Sequence, residues 1–186
     1  MGSDASGAQL QARAEQARAA GYVVRDARPA DADEIGPVHI QVWREAYAGL
    51  MPAEYLAALD PQASAARWAE MLAQPADGVR RLVGVAPAGE VVAIAAAGPS
   101  RDDDAPTPWE LWAINVLAGH HGTGIADLLM GQLVGTGPAS LWVLRGNERA
   151  MRFYARHGFR PDGAVKPHEA TATTEDRWVR RTAQAG

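Results

Sequence analysis

The spacing of apolar residues divides the chain into predicted helices and strands. The stretch YVVRDARP, residues 22–29, predicts a short strand that ends at Pro29. A helix follows, with Asp31 or Asp33 as its expected cap, because apolar residues recur at the spacing of one helix face: Ile35, Val38, Val42 and Ala46. The stretches MPAEYLAAL and ASAARWAEMLA predict two more helices.

The pattern then changes to short apolar runs separated by turn residues. RRLVGVA and EVVAIAAAGP are joined by PAG, which predicts a hairpin, and WELWAINV predicts a third strand after the polar loop RDDDAPTP. A helix to about Val134, a strand SLWVLRG and a short helix NERAMRFYARHG follow, and FRPDG and DRWVRRT predict a final hairpin. Strand–helix–strand order requires a parallel crossover, whereas hairpins pair antiparallel strands. The sequence therefore predicts an α/β fold with a mixed sheet.

Residues 1–20 carry almost no large apolar side chains. They are rich in Ala, Gln and Arg, and Leu10 is the one large apolar residue after the first methionine. We therefore expect a flexible or weakly helical extension outside the core, followed by a single domain over residues 21–183. A length of 186 residues suits one such domain.

Composition and charge narrow the classes of function. The formal net charge of −4 disfavours general nucleic-acid binding. The longest apolar run, residues 91–97, is far shorter than the roughly 20 residues of a membrane helix, and no secretory signal is visible. We expect a cytoplasmic protein with no nucleic-acid or membrane partner. The absence of cysteine excludes disulfides, thiolate metal sites and a cysteine nucleophile.

The stretch LAGHHGTG, residues 117–124, places three glycines directly before a helix. We call it the glycine loop. A strand, small residues and a helix N-terminus together form a phosphate-binding arrangement, because the first helical amides lack partners. The nucleotide P-loop pattern fails because no Gly-Lys-Thr follows, and the dinucleotide pattern fails because Asp127 occupies the third glycine position. The pyrophosphate loop of acetyl-CoA enzymes is the alternative that fits.

Two motifs resemble those of the GNAT acetyltransferase superfamily. Residues 121–126, HGTGIA, resemble its loop [Gln/Arg]-x-x-Gly-x-[Gly/Ala], with histidine at the Gln/Arg position. The later stretch LWVLRGNERAMRFYARHGFRPDG resembles its second signature through Asn147, Ala150, Phe153, Tyr154, Gly158 and Phe159. The resemblance covers residues 22–182. It implies a mostly antiparallel central sheet flanked by helices, with a splayed parallel strand pair forming the coenzyme A cleft.

The resemblance implies acetyl-CoA as cosubstrate. The residues expected to bind it are Val116, His121, Gly122, Thr123, Gly124, Ile125, Ala126 and Asn147. For the His121 side chain, a phosphate contact and a solvent-facing loop position are both open. We expect no metal, because the adjacent His120 and His121 lack the further ligands that zinc requires.

The resemblance also implies roles in acetyl transfer. Tyr154 lies seven residues after Asn147, on the same helical face, and corresponds to the acid that protonates the coenzyme sulfur. A packed core tyrosine is the alternative. The backbone amide of Val116 corresponds to the donor for the oxyanion.

Glu110 is the candidate base. In strict alternation Glu110 shares one strand face with Trp112, Ile114 and Val116, whereas Asn115 points to the opposite side. The resemblance implies that this carboxylate deprotonates the acceptor through water. A surface carboxylate at a strand end is the alternative.

We expect the acceptor to contact Trp43, Tyr47 and Asn115 and to be a primary amine of a small molecule that attacks the thioester directly. A protein lysine or N-terminal acetyltransferase is a second hypothesis, and a catalytically inactive acyl-CoA-binding sensor is a third. A homodimer is compatible with the sequence.

Overall fold

Within the part of the chain that the structure describes, seven strands form one sheet in the order β1-β2-β3-β4-β5-β7-β6. The computed structural model describes residues 2–74, 76–171 and 173–181. The strands are β1 Val23–Asp26, β2 Arg80–Val85, β3 Val91–Pro99, β4 Trp109–Val116, β5 Ala139–Leu144, β6 Arg160–Pro167 and β7 Thr174–Arg180. The helices are α1 Gly2–Ala19, α2 Ala32–Ala46, α3 Ala53–Ala58, α4 Pro61–Ala73, α5 Ile125–Leu133 and α6 Glu148–Arg156.

The sheet is antiparallel except at β4 and β5. These two strands pair in parallel through two residue pairs, Glu110 with Ser140 and Leu111 with Leu141, and then diverge. The crossover between them is α5, as strand–helix–strand order requires. The predicted mixed fold, with a mostly antiparallel sheet and one splayed parallel pair, is confirmed. No helix of the described residues is long and apolar enough to cross a membrane.

Helices cover both faces of the sheet. Residues 91–98 of β3 are buried throughout, as expected for a central strand. On one face, Val83 and Ile94 pack against Ile35 of α2 and Trp68 of α4. The other face packs against α1, α5 and α6 through a larger cluster that includes Leu82, Leu111, Leu128, Leu141, Tyr154 and Phe159. Two hydrophobic layers therefore fix the sheet, and the diverging end of β4 and β5 lies between their helices.

Helix α1 contradicts the expectation that residues 1–20 lie outside the core. Ala17 is 0% exposed and Ala14 packs against the same cluster, next to the leucines of α5. Alanines suffice because the two elements lie so close that a Cβ on Gly124 would overlap the carbonyl oxygen of Arg13. The helix therefore packs on the domain predicted for residues 21–183, of which residues 182 and 183 lie outside the described part.

A β-bulge interrupts the alternation of β4. Strand β3 pairs Ala96 with Ala113 and Ala97 with Leu111, so Trp112 is one extra residue on β4. An extra residue reverses the face on which all later side chains of a strand lie.

The bulge changes which residues of β4 share a face. Leu111, Ile114 and Val116 all contact the core cluster on the α5 side. Glu110 and Asn115 consequently lie on the opposite face, toward α2. The prediction that Glu110 shares a face with Val116, opposite Asn115, is wrong because strict alternation does not continue across a bulge.

Candidate active site

A cleft of about 960 Å³ opens where β4 and β5 diverge. The last five residues of β4, the end of β5, and parts of α2, α6 and the glycine loop line it. Its volume is at the upper end of the range for ligand pockets. The cleft brings together most of the predicted site residues: Trp43, Tyr47, Asn115, Val116, His121, Gly122, Gly124, Ala126, Asn147 and Tyr154. Glu110, Thr123 and Ile125 do not border it.

The glycine loop presents backbone amides to one end of the cleft. Gly122 and Gly124 have φ values of 81° and 91°, in the left-handed region that favours glycine, and Gly124 is the N-cap of α5. Within the described residues, the amides of Gly122, Thr123, Gly124 and Ala126 donate to no protein acceptor. Together with the positive end of the helix dipole, these amides form a site suited to an anion.

The His121 side chain takes neither of the two roles that the sequence left open, a phosphate contact or a solvent-facing position. Its Nε2 lies 2.8 Å from the Val116 carbonyl oxygen and therefore donates to it. Burial lowers the pKa of His121, so the ring is neutral at pH 7. Its backbone amide donates to the Ala118 carbonyl at 3.1 Å, so the free amides of the loop begin at Gly122. The histidine thus holds the end of β4 against the loop.

The backbone N–H of Val116 points into the gap between β4 and β5. The amide of Leu117 donates to the Val92 carbonyl at 3.0 Å, and Val116 is paired with Ala93. In an antiparallel pair, residues directed toward the partner strand alternate with residues directed away from it. The amide and carbonyl of Val116 are therefore directed away from β3. The carbonyl is occupied by His121, and the amide faces the cleft.

Helix α6 places Asn147 and Tyr154 along the cleft, two turns apart. Asn147 is the N-cap, and its side-chain oxygen accepts a hydrogen bond from the Ala150 amide at 3.1 Å. Tyr154 is 7% exposed, and its hydroxyl forms no hydrogen bond with another described residue. Burial, and then the neighbouring Tyr47, raise the pKa of Tyr154 well above its usual value. The phenol is therefore protonated and available to donate.

Glu110 does not border the cleft and is 1% exposed. Its carboxylate accepts from the backbone amide of Arg101 at 2.9 Å and from the guanidinium of the same residue at 2.5 Å. That guanidinium lies 4.9 Å from the ring centre of Trp112, which lines the cleft. The structure thus joins Glu110 to Arg101 and does not bring it together with the other site residues.

The opposite end of the cleft combines aromatic rings with one acidic group. Trp43 and Tyr47 meet edge to face at 5.2 Å, and His168 lies 6.0 Å from Trp43. Glu175 of β7 lines the same cleft and has no ionic partner in the described residues. Burial, and then the charge of Glu175, raise the pKa of Tyr47 to about 12. Sequence reasoning missed Glu175, because only its pairing with Leu144 of β5 brings it here.

An anion-binding loop, a strand amide and a buried phenol thus line one cleft. The model of the acetyltransferase (GNAT) family matches residues 41–159. The chain belongs to this family, as the sequence motifs indicated. Within the described residues, no group of three potential ligands that could hold a metal ion is found.

Curated relatives support the assignment, and solved structures share the fold. Uncharacterised N-acetyltransferases of Mycobacterium tuberculosis and Mycobacterium bovis are 34% identical over 140 residues, covering 72% of this chain and 85% of theirs. The PaiA N-acetyltransferase of Thermoplasma acidophilum, solved in complex with coenzyme A, is 15% identical with a TM-score of 0.64, over 86% of this chain and 98% of that one. A GCN5-related N-acetyltransferase of Kribbella flavida is 22% identical with a TM-score of 0.62, over 87% and 98%. These structures share the fold.

Proposed function

We propose that the protein transfers the acetyl group of acetyl-CoA to a primary amine of a small molecule, by direct attack in a ternary complex. One observation carries the proposal. A single cleft connects the free amides of the glycine loop with an acidic, aromatic end at Glu175, and it passes Val116 and Tyr154 between them. The two ends suit a diphosphate and an ammonium group, and the groups needed for transfer lie between the two.

The glycine loop would hold the coenzyme diphosphate by the free amides of Gly122, Thr123, Gly124 and Ala126. The thioester would then lie along the gap between β4 and β5. There the amide of Val116 would donate to the carbonyl oxygen as negative charge develops on it. One such donor is typically worth about 3–4 kcal/mol in the transition state.

Tyr154 would return a proton to the departing sulfur. A simple thiol has a pKa of about 8.5, so the thiolate is a moderately good leaving group that benefits from a donor. A raised phenol pKa keeps Tyr154 protonated throughout the working pH range. The new amide bond forms as the C–S bond breaks, and the phenol proton passes to sulfur. The nitrogen releases its second proton, which returns through water to the phenolate and restores Tyr154.

Glu175 would receive the acceptor. An alkyl amine with a pKa of about 10 arrives as an ammonium ion and must lose a proton before it attacks. The carboxylate of Glu175 would attract it and accept that proton directly or through water, while Trp43 and Tyr47 would contact the cation with their rings. Glu110, the base suggested by the family resemblance, is engaged by Arg101 and would act by keeping that residue against Trp112.

The shape of the cleft at its aromatic, acidic end favours a small molecule over a protein as acceptor. His168, in the segment after β6, contacts Trp43 of α2, so the two elements meet across this end of the cleft. Such a boundary suits a compact amine more than an extended peptide.

A panel of amines tests the proposal. The purified chain is incubated with acetyl-, propionyl- or succinyl-CoA and with polyamines, amino acids, aminoglycosides or lysine peptides, and released thiol is measured. We expect acetyl-CoA turnover on one or more small amines. Turnover confined to the peptides would refute the small-molecule acceptor. Coenzyme binding without turnover on any amine would refute catalysis and favour an acyl-CoA sensor.

A further inference from the structure

We propose that helix α1 completes the coenzyme site and that Arg13 binds the diphosphate of acetyl-CoA. The inference rests on the proposed binding of acetyl-CoA in the cleft. Arg13 borders the cleft beside Gly122 and Gly124, although it precedes the first strand and lies outside the residues 41–159 that match the family.

The position of α1 over the glycine loop is fixed by close backbone packing. A Cβ on Gly124 would overlap the carbonyl oxygen of Arg13 and lie 3.4 Å from the Cβ of Ala17. The helix backbone therefore rests on Gly124, the N-cap residue of α5. This contact places the Arg13 side chain beside the free amides of the loop.

A buried carboxylate orients the Arg13 guanidinium. Its Nε donates to Oδ2 of Asp127 at 3.0 Å, and the second oxygen of Asp127 accepts from His157 Nε2 at 2.9 Å. The Asp127 side chain is 3% exposed, whereas that of Arg13 is 37% exposed. Among the described residues, neither Nη atom of Arg13 has an acceptor. The guanidinium is thus held by one edge while its two terminal donors stay available.

The two free Nη groups of Arg13 are suited to binding a phosphate group. A guanidinium presents a planar fork that binds phosphate oxygens in pairs, and its charge persists at every working pH. Other positive groups border the same cleft on α6: Arg149, Arg152 and Arg156. The acidic group nearest to Arg13 is Asp127, which is already shared between two partners. Two further carboxylates border the cleft: Glu45 accepts from the Ala118 amide at 3.2 Å, and Glu148 lies 3.8 Å from Arg152. Because these carboxylates already have partners, the free donors of Arg13 favour an anion at this end of the cleft.

A purely structural role for Arg13 is the competing explanation, because its ion pair also ties α1 to α5. The two roles differ in what a substitution changes. Loss of an ion pair that only joins the two helices affects unfolding of the free protein. Loss of a phosphate ligand affects coenzyme affinity and the KM for acetyl-CoA. The kcat at saturating acetyl-CoA should be retained when only a phosphate contact is lost.

Calorimetric titration of the full chain with coenzyme A tests the proposal. We expect Arg13→Ala to weaken binding about 10- to 100-fold, as the loss of charge-assisted hydrogen bonds implies, and Arg13→Lys to give an intermediate loss. Arg18→Ala, on an exposed position of the same helix, is the matched control and should bind as the unmodified chain does. The KM for acetyl-CoA should rise in parallel, with kcat nearly unchanged.

Titration with dephospho-CoA identifies the phosphate. The loss caused by Arg13→Ala should be the same for both ligands if the contact is to the diphosphate, and its disappearance with dephospho-CoA would overturn that assignment. A lowered melting temperature with unchanged affinity would make Arg13 structural only. If the unmodified chain bound no coenzyme A, the proposed function itself would fail, which is a different outcome from equal binding by both proteins.

Discussion

Replacing Gly124 by alanine should detach α1 from the glycine loop, and Gly122→Ala is the matched control. Both glycines have a left-handed backbone, with φ values of 91° and 81°. Their surroundings differ. A Cβ on Gly122 meets nothing within 4 Å, whereas a Cβ on Gly124 overlaps the backbone of Arg13. A backbone atom cannot move aside alone, so α1 must shift.

The expected loss in the free energy of unfolding follows from this difference in surroundings. A left-handed conformation costs an alanine about 1–2 kcal/mol at either position. At Gly124 the shift of α1 also loosens the packing of Ala17 and the Arg13–Asp127 contact, which we expect to add about 1–2 kcal/mol, since Arg13 is partly exposed. Gly124→Ala should therefore lower the free energy of unfolding by about 2–4 kcal/mol and Gly122→Ala by about 1–2 kcal/mol.

Denaturant unfolding and amide hydrogen exchange measure the two effects separately. Each kcal/mol corresponds to about 2–4 °C in melting temperature for a chain of this size. We expect exchange within α1 to accelerate in Gly124→Ala and to stay unchanged in Gly122→Ala. Equal loss of stability in both variants, with α1 equally protected, would refute the reasoning that close packing rather than backbone conformation requires glycine at position 124.

Four further predictions concern the chemistry and the charges of the site. Tyr154→Phe should lower kcat about 100-fold or more with little change in the KM for acetyl-CoA, and undiminished turnover at every pH would remove this phenol from the mechanism. Glu175→Gln should raise the KM for the amine while coenzyme affinity stays the same; an unchanged amine KM would contradict the acceptor assignment. Glu110→Gln should lower the melting temperature and leave both limbs of the pH–rate profile in place. The loss of one limb would show instead that Glu110 is the base. His39 of α2 lies edge to face with Trp43 and Trp68. Burial lowers the pKa of His39 from about 6.5 to about 4, so the unfolded chain binds a proton that the folded chain does not. Stability should therefore fall as pH decreases from about 6.5 to about 4, and a denaturant titration of His39→Gln should show a shallower fall over that range.

The sequence determined the features that depend on neighbours along the chain. The left-handed turns of the glycine loop, the start of α5 and the capping of α6 by Asn147 follow from local backbone preference and from amides that lack partners. The mixed sheet followed from the order of elements. These are short-range or topological constraints, so residue type and spacing are enough to predict them.

Only the tertiary structure decided what depends on contacts between distant segments. The extra residue at Trp112 exists because of how β4 pairs with β3, and it turned Glu110 away from the face assigned by alternation. Helix α1 packs through alanines, which do not mark it as a core helix in the sequence. They can pack only because Gly124 lets α1 approach the start of α5 closely. Glu175 reaches the cleft through the register of β7 against β5. Register, bulges and close packing are set by partner segments, and no local pattern records them.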